Sequence, residues 1–522
     1  MIGEQVVDIT KNNHSLLENY NILGRATLED FSHQPSSSFY KFLKSIKKSN
    51  LDENDRILFD NFVILPENLI THIHKILKDL DIPEFFIVIV TNQPTTVQNF
   101  SNIKCLLIEN NSPLDDTKKK IIPLFNNNDF MCGHAWAGVY LMTDGSARVC
   151  CNNSQSITKE DGTLYNIKHD SLEDMLHSQW MKDLRTKFRN NERADSCELC
   201  WRREDSGQDS RRTIAPYKLQ NIYGDINWEG DGQLMFLGGH LGNLCNLKCR
   251  ICAPENSSSI ANEYLEQLPL GTRKSSIYYS ILKDREWALD DSFWKTIKDH
   301  STQIKNYELL GGEPFMIKQI SDFLDFLVDN NISQETIFYF STNGTKYPKF
   351  LDHITKFNRI EITFSIDNMN ERFELERRNA KWIEVQSNID NLINLQRLSP
   401  DHLKLDVCIS VGIQNVFYLP ELIKWVKLKG FNSYFLNLVD MPDYYSITKL
   451  TKKAKQLVLD KLINADIEPD DKNKLAGIIK IIESSGISDG KEFCSATKQL
   501  DLLRNENFIQ THTEIAKAMG YE

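Results

Sequence analysis

Cys245, Cys249 and Cys252 form a C-x3-C-x2-C run within residues 239–254. Three thiolates on one short loop can converge on a single inorganic site. A cubane iron–sulfur cluster has four irons, so a three-cysteine loop leaves one iron without a protein ligand. A small chelating molecule could bind at that open iron. The competing reading is a zinc knuckle with His240 as a fourth ligand. Zinc sites usually pair two such arms, and no second arm follows here. A separate set, Cys132, Cys150, Cys197 and Cys200, precedes the loop. Four thiolates can close a complete metal site, either a second cluster or a structural zinc. Cys151 adjoins Cys150 and is an alternative to it.

The elements that must carry these cysteines can be read from periodicity. Residues 231–440 alternate strand and helix patterns. Residues 234–241 lead into the cysteine loop, and 307–310, 336–341, 359–365, 403–411 and 434–439 are further strand candidates. Apolar helices over 317–328, 382–395 and 419–428 separate them, and one more is expected near 291–297. Repeated βα units imply parallel strands with right-handed crossovers. Parallel sheets place ligands at the C-terminal ends of their strands. Upstream, residues 137–141 and 147–151 flank Thr143-Asp144-Gly145 as a β-hairpin. A helix then starts at Ser171, with Asp174 placed for a capping box and Leu172, Met175, Leu176, Leu184 and Phe188 on its apolar side. Residues 1–126 read as a small α/β unit. It has a helix over 69–80 after Pro66 and strands at 85–90 and 103–108, the last holding Cys105 as a core residue. Residues 441–522 read as helical. Cys408, within a strand, reads as a core residue and not a hydrogen-atom donor, and Cys494 as structural. Arg202, Arg203, Arg211 and Arg212 read as surface ion pairs, with contacts to substrate carboxylates the alternative.

Bulk properties bound the function. At 522 residues the chain is long enough for about three or four domains. A net charge of −11 argues against a general nucleic-acid binder, which needs a basic face. The longest strongly apolar run, residues 85–90, is far short of a membrane span. The first residues lack the basic and apolar regions of a secretory signal. Eleven cysteines clustered in such a chain favour metal binding over disulfides and a reducing cytoplasm.

The C-x3-C-x2-C spacing resembles the signature of radical S-adenosylmethionine (SAM) enzymes, in which the SAM amino and carboxylate groups chelate the open iron. Gly311-Gly312-Glu313-Pro314, after the second strand, is similar to the GGEP motif that lines the SAM amino group in that superfamily. Ser341-Thr342-Asn343-Gly344 and Ser365-Ile366-Asp367 follow the third and fourth strands. Arg377 lies ten residues beyond Asp367, where related enzymes place an arginine on the SAM carboxylate, and Arg378 adjoins it. The resemblance therefore implies cofactor contacts from Gly311, Gly312, Glu313, Pro314, Asn343, Ser365, Asp367 and Arg377, with Asn415 a weaker candidate. Residues 127–230 resemble the twitch domain, the half-size form of the SPASM auxiliary-cluster domain. Cys132 is followed by twelve residues, Gly145, four residues and Cys150, a spacing that favours Cys150 over Cys151. Glu204, Gly207, Ser210 and Arg211 resemble a stretch common after twitch cysteines, a linker that ties the two cluster domains together. Residues 499–522 resemble a tail that covers an open barrel side.

What the resemblance implies is an α/β fold. A partial (β/α)6 radical SAM barrel over 231–440 is preceded by a twitch auxiliary iron–sulfur domain over 127–230 and a small N-terminal α/β accessory domain over 1–126. A C-terminal helical segment, 441–522, follows. The implied cofactors are a SAM-binding [4Fe-4S] cluster on Cys245, Cys249 and Cys252, an auxiliary [4Fe-4S] cluster on Cys132, Cys150, Cys197 and Cys200, and SAM. The implied chemistry is reductive SAM cleavage to a deoxyadenosyl radical that abstracts a hydrogen atom, fed by a reductant such as flavodoxin or ferredoxin. A peptide or protein substrate of a RiPP-type maturase is expected, with neither nucleic acid nor membrane as a partner. The alternatives are a radical SAM enzyme acting on a small metabolite and a non-catalytic, zinc-stabilised adaptor.

Overall fold

The computed structural model describes residues 130–205, 210–213 and 226–522, and before them the backbone of four strands. The chain divides into two compact units, Met1–Met131 with Thr213–Asn221, and Cys132–Arg212 with Ile222–Glu522. In the first unit β1 (Asn21–Ala26), β2 (Asp55–Phe59), β3 (Phe85–Thr91) and β4 (Ile103–Glu109) form a parallel sheet in chain order. The last two are the strands expected from β-branched runs. The helix expected over 69–80 lies outside the described residues.

The second unit is built on one eight-stranded sheet, mainly parallel. Six strands stand in chain order across it: β7 (Phe236–His240), β9 (Asn306–Leu310), β10 (Ile337–Thr342), β11 (Arg359–Ser365), β13 (Leu403–Val411) and β14 (Ser433–Leu438). Helices connect most of them, among them Lys318–Asp329, Trp382–Leu398 and Leu419–Lys429. The upstream hairpin, β5 (Gly138–Leu141) and β6 (Ala147–Arg148), extends the same sheet, with β5 parallel to β7 and β6 antiparallel to β5. A two-stranded ribbon, β8 (Lys248–Cys249) with β12 (Arg377–Arg378), stands apart from it. No helix among the described residues is long and apolar enough to cross a membrane.

A parallel sheet covered on both faces reads apolar on both. This one is apolar on a single face. Tyr307, Leu309, Phe338, Phe340, Ile360, Ile362, Phe364, Leu405, Val407 and Ile409 are buried under the helices. Their alternates on the other face are Glu308, Tyr339, Ser341, Glu361, Thr363, Ser365, Asp406, Cys408 and Ser410. Parallel register sets them side by side, Glu308 beside Tyr339, Thr363 beside Asp406 and Ser365 beside Cys408. Cys408 is therefore not a core residue, as its strand position suggested. It is half-exposed on the polar face and accepts a hydrogen bond from Asn437 Nδ2 at 3.2 Å.

Two local expectations are corrected. The helix from Ser171 is two helices, Leu172–Leu176 and Gln179–Arg189. Ser178 divides them, because its hydroxyl accepts from the Met181 N–H and donates to the Met175 carbonyl, competing with helix continuation. Ser171 caps the first as expected, accepting from the Asp174 N–H. The hairpin is shorter at both ends. Ala137 ends a helical turn, Gly133–Ala137, and pairing on the second strand stops at Arg148. The chain there bends to present Cys150, with the Asn153 N–H reaching the Cys150 carbonyl at 3.3 Å.

Candidate functional site

The cysteine loop after β7 is held from below by serines. Ser258 opens the helix Ser258–Gln267 and accepts from the Cys245 N–H at 3.1 Å; Ser259 donates to the Cys245 carbonyl at 2.7 Å, and Ser257 to that of Leu247 at 2.7 Å. Cys249 lies in β8, where its backbone pairs with Arg377. Burial first, and neighbouring cysteines next, push the Cys245 and Cys252 thiols up to about 12. Buried thiols that crowd one another stay ionised only beside a compensating cation, which is the chemistry of a metal donor set. His240, the fourth ligand in a zinc reading, instead sets its ring edge-on to Tyr140, centroids 5.9 Å apart. Among the described residues no three His, Cys, Asp or Glu side chains could hold a single metal ion. A cubane takes each thiolate on a separate iron and so needs them further apart.

The strand-end motifs close around this loop. Gly311 has φ +147°, and a Cβ on Gly312 would stand 2.4 Å from the Leu244 carbonyl oxygen, so only glycine lets the two loops meet. The Glu313 carboxylate is fully buried and turned inward. It accepts from the Asn343 N–H at 2.7 Å, the Thr342 hydroxyl at 2.8 Å and the Phe315 N–H at 3.1 Å. Burial raises it to about 7 against the pull of these donors. Pro314 starts the short turn Pro314–Met316. Asn343 reaches Asn246 at 3.1 Å and lies 4.0 Å from the Cys245 sulfur. Ser365 faces Ser341 across the polar side, hydroxyls 3.5 Å apart.

Arg377 donates to Asp367 at 2.6 Å and lies 3.9 Å from the Cys249 sulfur. Its buried Nε has no partner. Burial opposes its charge, yet Asp367 and the Cys249 thiol hold the guanidinium above its ordinary range. Arg378 points elsewhere, to Glu506 at 2.9 Å. A cavity beside these groups is lined by Ile251, Asp367, Ser410, Gln414 and Asn415, and the buried Gln414 Nε2 is also unpartnered. Asn415 is spent on the backbone of Gly412, Ser410 and Asp367, each at 2.9 Å.

Sequence reasoning missed how the C-terminal segment locks this loop. Arg250, with no exposed side-chain surface, pairs with Asp501 and, at 2.6 Å, with Glu506. Glu506 thereby joins Arg250 to Arg378. Arg504 binds Glu263 and the Lys248 carbonyl, both at 2.8 Å. His512, also fully buried, meets Glu376 at 2.8 Å. These partners lie far apart in the chain, and only fold-level placement reveals them.

The second cysteine set lines one cavity: Cys132, Cys150, Cys197 and Cys200 surround it with Asn153, Arg211 and Arg212. Cys151 is not in that lining. Burial first and neighbouring thiols next raise Cys132 and Cys197 to about 12. Asn153 Nδ2 lies 3.4 Å from the Cys197 sulfur. Arg211 and Arg212 are not surface residues, as their context had suggested. Arg212 stacks on Trp201, 4.2 Å from the ring centroid, and pairs with Glu204, while Arg211 pairs with Glu308 on β9. Arg202 is the exposed ion pair expected, with Glu198 at 3.7 Å. Because β6 runs back along β5, Cys150 lies toward the N-terminal ends of the parallel strands, whereas Cys245 follows the C-terminal end of β7. The two cysteine sets thus lie at opposite ends of neighbouring strands.

Residues 132–201 match the SPASM family, an iron–sulfur cluster-binding domain. That match agrees with what the spacing of Cys132, Cys150, Cys197 and Cys200 led us to expect: this segment is similar to an iron–sulfur cluster-binding domain. No curated protein matches the chain. Among solved structures it is similar to native anSMEcpe with bound AdoMet, 17% identical over 43% of this chain and 58% of that one, TM-score 0.29. It is also similar to Streptococcus suis SuiB bound to precursor peptide SuiA, 12% identical over 67% and 69%, TM-score 0.26. A third is TYW1 with a lysine-pyruvate adduct bound, 12% identical over 58% and 89%, TM-score 0.24. The match spans less than two thirds of the anSMEcpe chain.

Proposed function

We propose that this chain is a radical SAM enzyme of oxidoreductase type that modifies a peptide or protein. The observation that carries the reading is the meeting of the Cys245–Cys249–Cys252 loop with Arg377 and the Gly311–Gly312 turn, above a sheet face lined with polar groups. A four-iron cluster bound to these cysteines would supply the electron that cleaves SAM to methionine and a deoxyadenosyl radical. The chain's own residues bind and orient. With the Glu313 carboxylate spent inside the protein, the backbone carbonyls of the Gly311–Gly312 turn are left to accept from the SAM ammonium. Arg377, through its unpartnered Nε, takes the SAM carboxylate. Asn343, Ser365 and Asp367 shape the remaining wall, and Gln414 adds a free donor. The six-stranded row then acts as a partial (β/α)6 barrel, its polar face enclosing the substrate and limiting water. Cys132, Cys150, Cys197 and Cys200 hold the auxiliary four-iron cluster.

Anaerobic reconstitution tests this reading. The protein is expected to turn brown and hold about eight irons and about eight sulfides, four of each per cubane. With dithionite and SAM it slowly forms deoxyadenosine. Colourless protein containing zinc would establish the adaptor reading instead, and saturation at about four irons would remove the auxiliary cluster.

The peptide assignment draws on the first unit. The order of its described strands leaves β1 and β4 outermost, and an extended leader segment can add to a sheet edge by β-pairing. Deleting residues 1–126 is expected to spare deoxyadenosine formation without substrate while peptide binding and modification collapse. Full-rate modification by the truncated enzyme would point to a small-molecule substrate.

A further inference from the structure

The polar face of the sheet and the auxiliary cysteine cavity meet at one ion pair. Arg211 lines the cavity and reaches Glu308, whose side chain stands on the polar face between Gly238 and Tyr339. Both are largely buried, with 24% and 11% of their side chains exposed. Gly238 leaves the space between β5 and β9 open, and the Tyr140 ring leans into it, since a Cβ on Gly238 would stand 2.6 Å from Tyr140 Cδ2. The Tyr140 hydroxyl and Arg211 Nε are both buried without a hydrogen-bond partner. A charged pair with two idle donors therefore separates the auxiliary site from the surface on which substrate would react.

We propose that Arg211 and Glu308 are positioning residues that set the reduction potential of the auxiliary cluster from the substrate side, with Arg211 raising it and Glu308 lowering it. This rests on the reading of Cys132, Cys150, Cys197 and Cys200 as cluster ligands. Adding an electron makes a cluster more negative, so a nearby cation favours the reduced form and an anion disfavours it. Net charge and hydrogen bonds around the sulfurs are the established levers on such potentials. Arg211 is the nearer of the two, because it lines the cavity itself. Glu308 acts through it and faces the substrate side, so a charged group bound on that face would alter the same balance.

The test uses full-length protein with Cys245, Cys249 and Cys252 all replaced by Ala, so that only the auxiliary cluster is loaded. Its midpoint potential is followed by electron paramagnetic resonance during a redox titration. Arg211→Met is expected to shift the midpoint to a more negative value, Arg211→Lys to restore most of it, and Glu308→Gln to shift it to a more positive value. Shifts in the same direction for Arg211→Met and Glu308→Gln, or no shift in either, overturn the proposal, since loss of a merely structural ion pair gives no opposite signs. Should Arg211→Met fail to hold a cluster, Glu308→Gln decides alone, and an unmoved or more negative midpoint overturns it. Absence of any cluster signal in the parent protein would instead sink the ligand assignment.

Discussion

Replacing Cys249 with Ala is expected to abolish deoxyadenosine formation from SAM and dithionite, whereas Cys197→Ala should leave much of it. The two residues belong to different sites. Cys249 is paired through its backbone with Arg377 and faces the strand-end motifs, while Cys197 lines the cavity at the other end of the sheet. If the three thiolates hold a cubane as proposed, removing one would leave two of its irons without protein ligands, and the chelating site would be lost. Iron content should fall to about four per chain in Cys249→Ala, all of it in the auxiliary site. Equal loss of activity in two folded variants would show that this division of roles is wrong.

Arg250→Met is expected to cost about 3–5 kcal/mol of stability, because it leaves the buried Asp501 carboxylate without its cation and Glu506 with Arg378 alone. Arg250 has no exposed side-chain surface, and Asp501 and Glu506 expose only 8% and 6% of theirs. The methionine fills most of the arginine's volume, so the loss is chiefly of charge. Arg202→Met provides the control, since it breaks an ion pair whose partners are 67% and 71% exposed and should leave the denaturation midpoint nearly unchanged. Comparable midpoints for the two variants would mean that the buried network contributes no more than a surface pair.

Much of the site's inventory was legible in the sequence, because it is local. The C-x3-C-x2-C loop, the Gly311–Pro314 turn and the strands they follow each occupy a short window. Apolar alternation placed β11 and β13 over the residues observed, Arg359–Ser365 and Leu403–Val411. The same alternation held a signal that went unused. Leu403-Lys-Leu-Asp-Val-Cys-Ile-Ser-Val interleaves apolar and polar residues throughout, which already declares one polar face and puts Cys408 on it. Other features had no local trace. Arg250 meets Asp501 across 251 residues and Arg211 meets Glu308 across 97, separations that periodicity does not bridge. The break at Ser178 was hidden because apolar spacing continues through it, and only the serine's hydrogen bonds end the first helix.

The pairing of β5 with β7 bears on how this protein can be taken apart. A domain joined by a hinge can be excised, swapped or moved to the other end of a gene. Here the auxiliary segment contributes a strand to the sheet that carries the other cysteine loop, and the four residues Gly138–Leu141 are in register with Phe236–Gly239. Cutting between them would bare the backbone hydrogen-bonding groups along β7 and create a sticky edge. Neighbouring strands are held roughly 4.8 Å apart by those hydrogen bonds, so the spacing between the two sites is fixed by sheet geometry and not by domain motion. Chimaeras that graft this auxiliary segment elsewhere should therefore carry β7 with it.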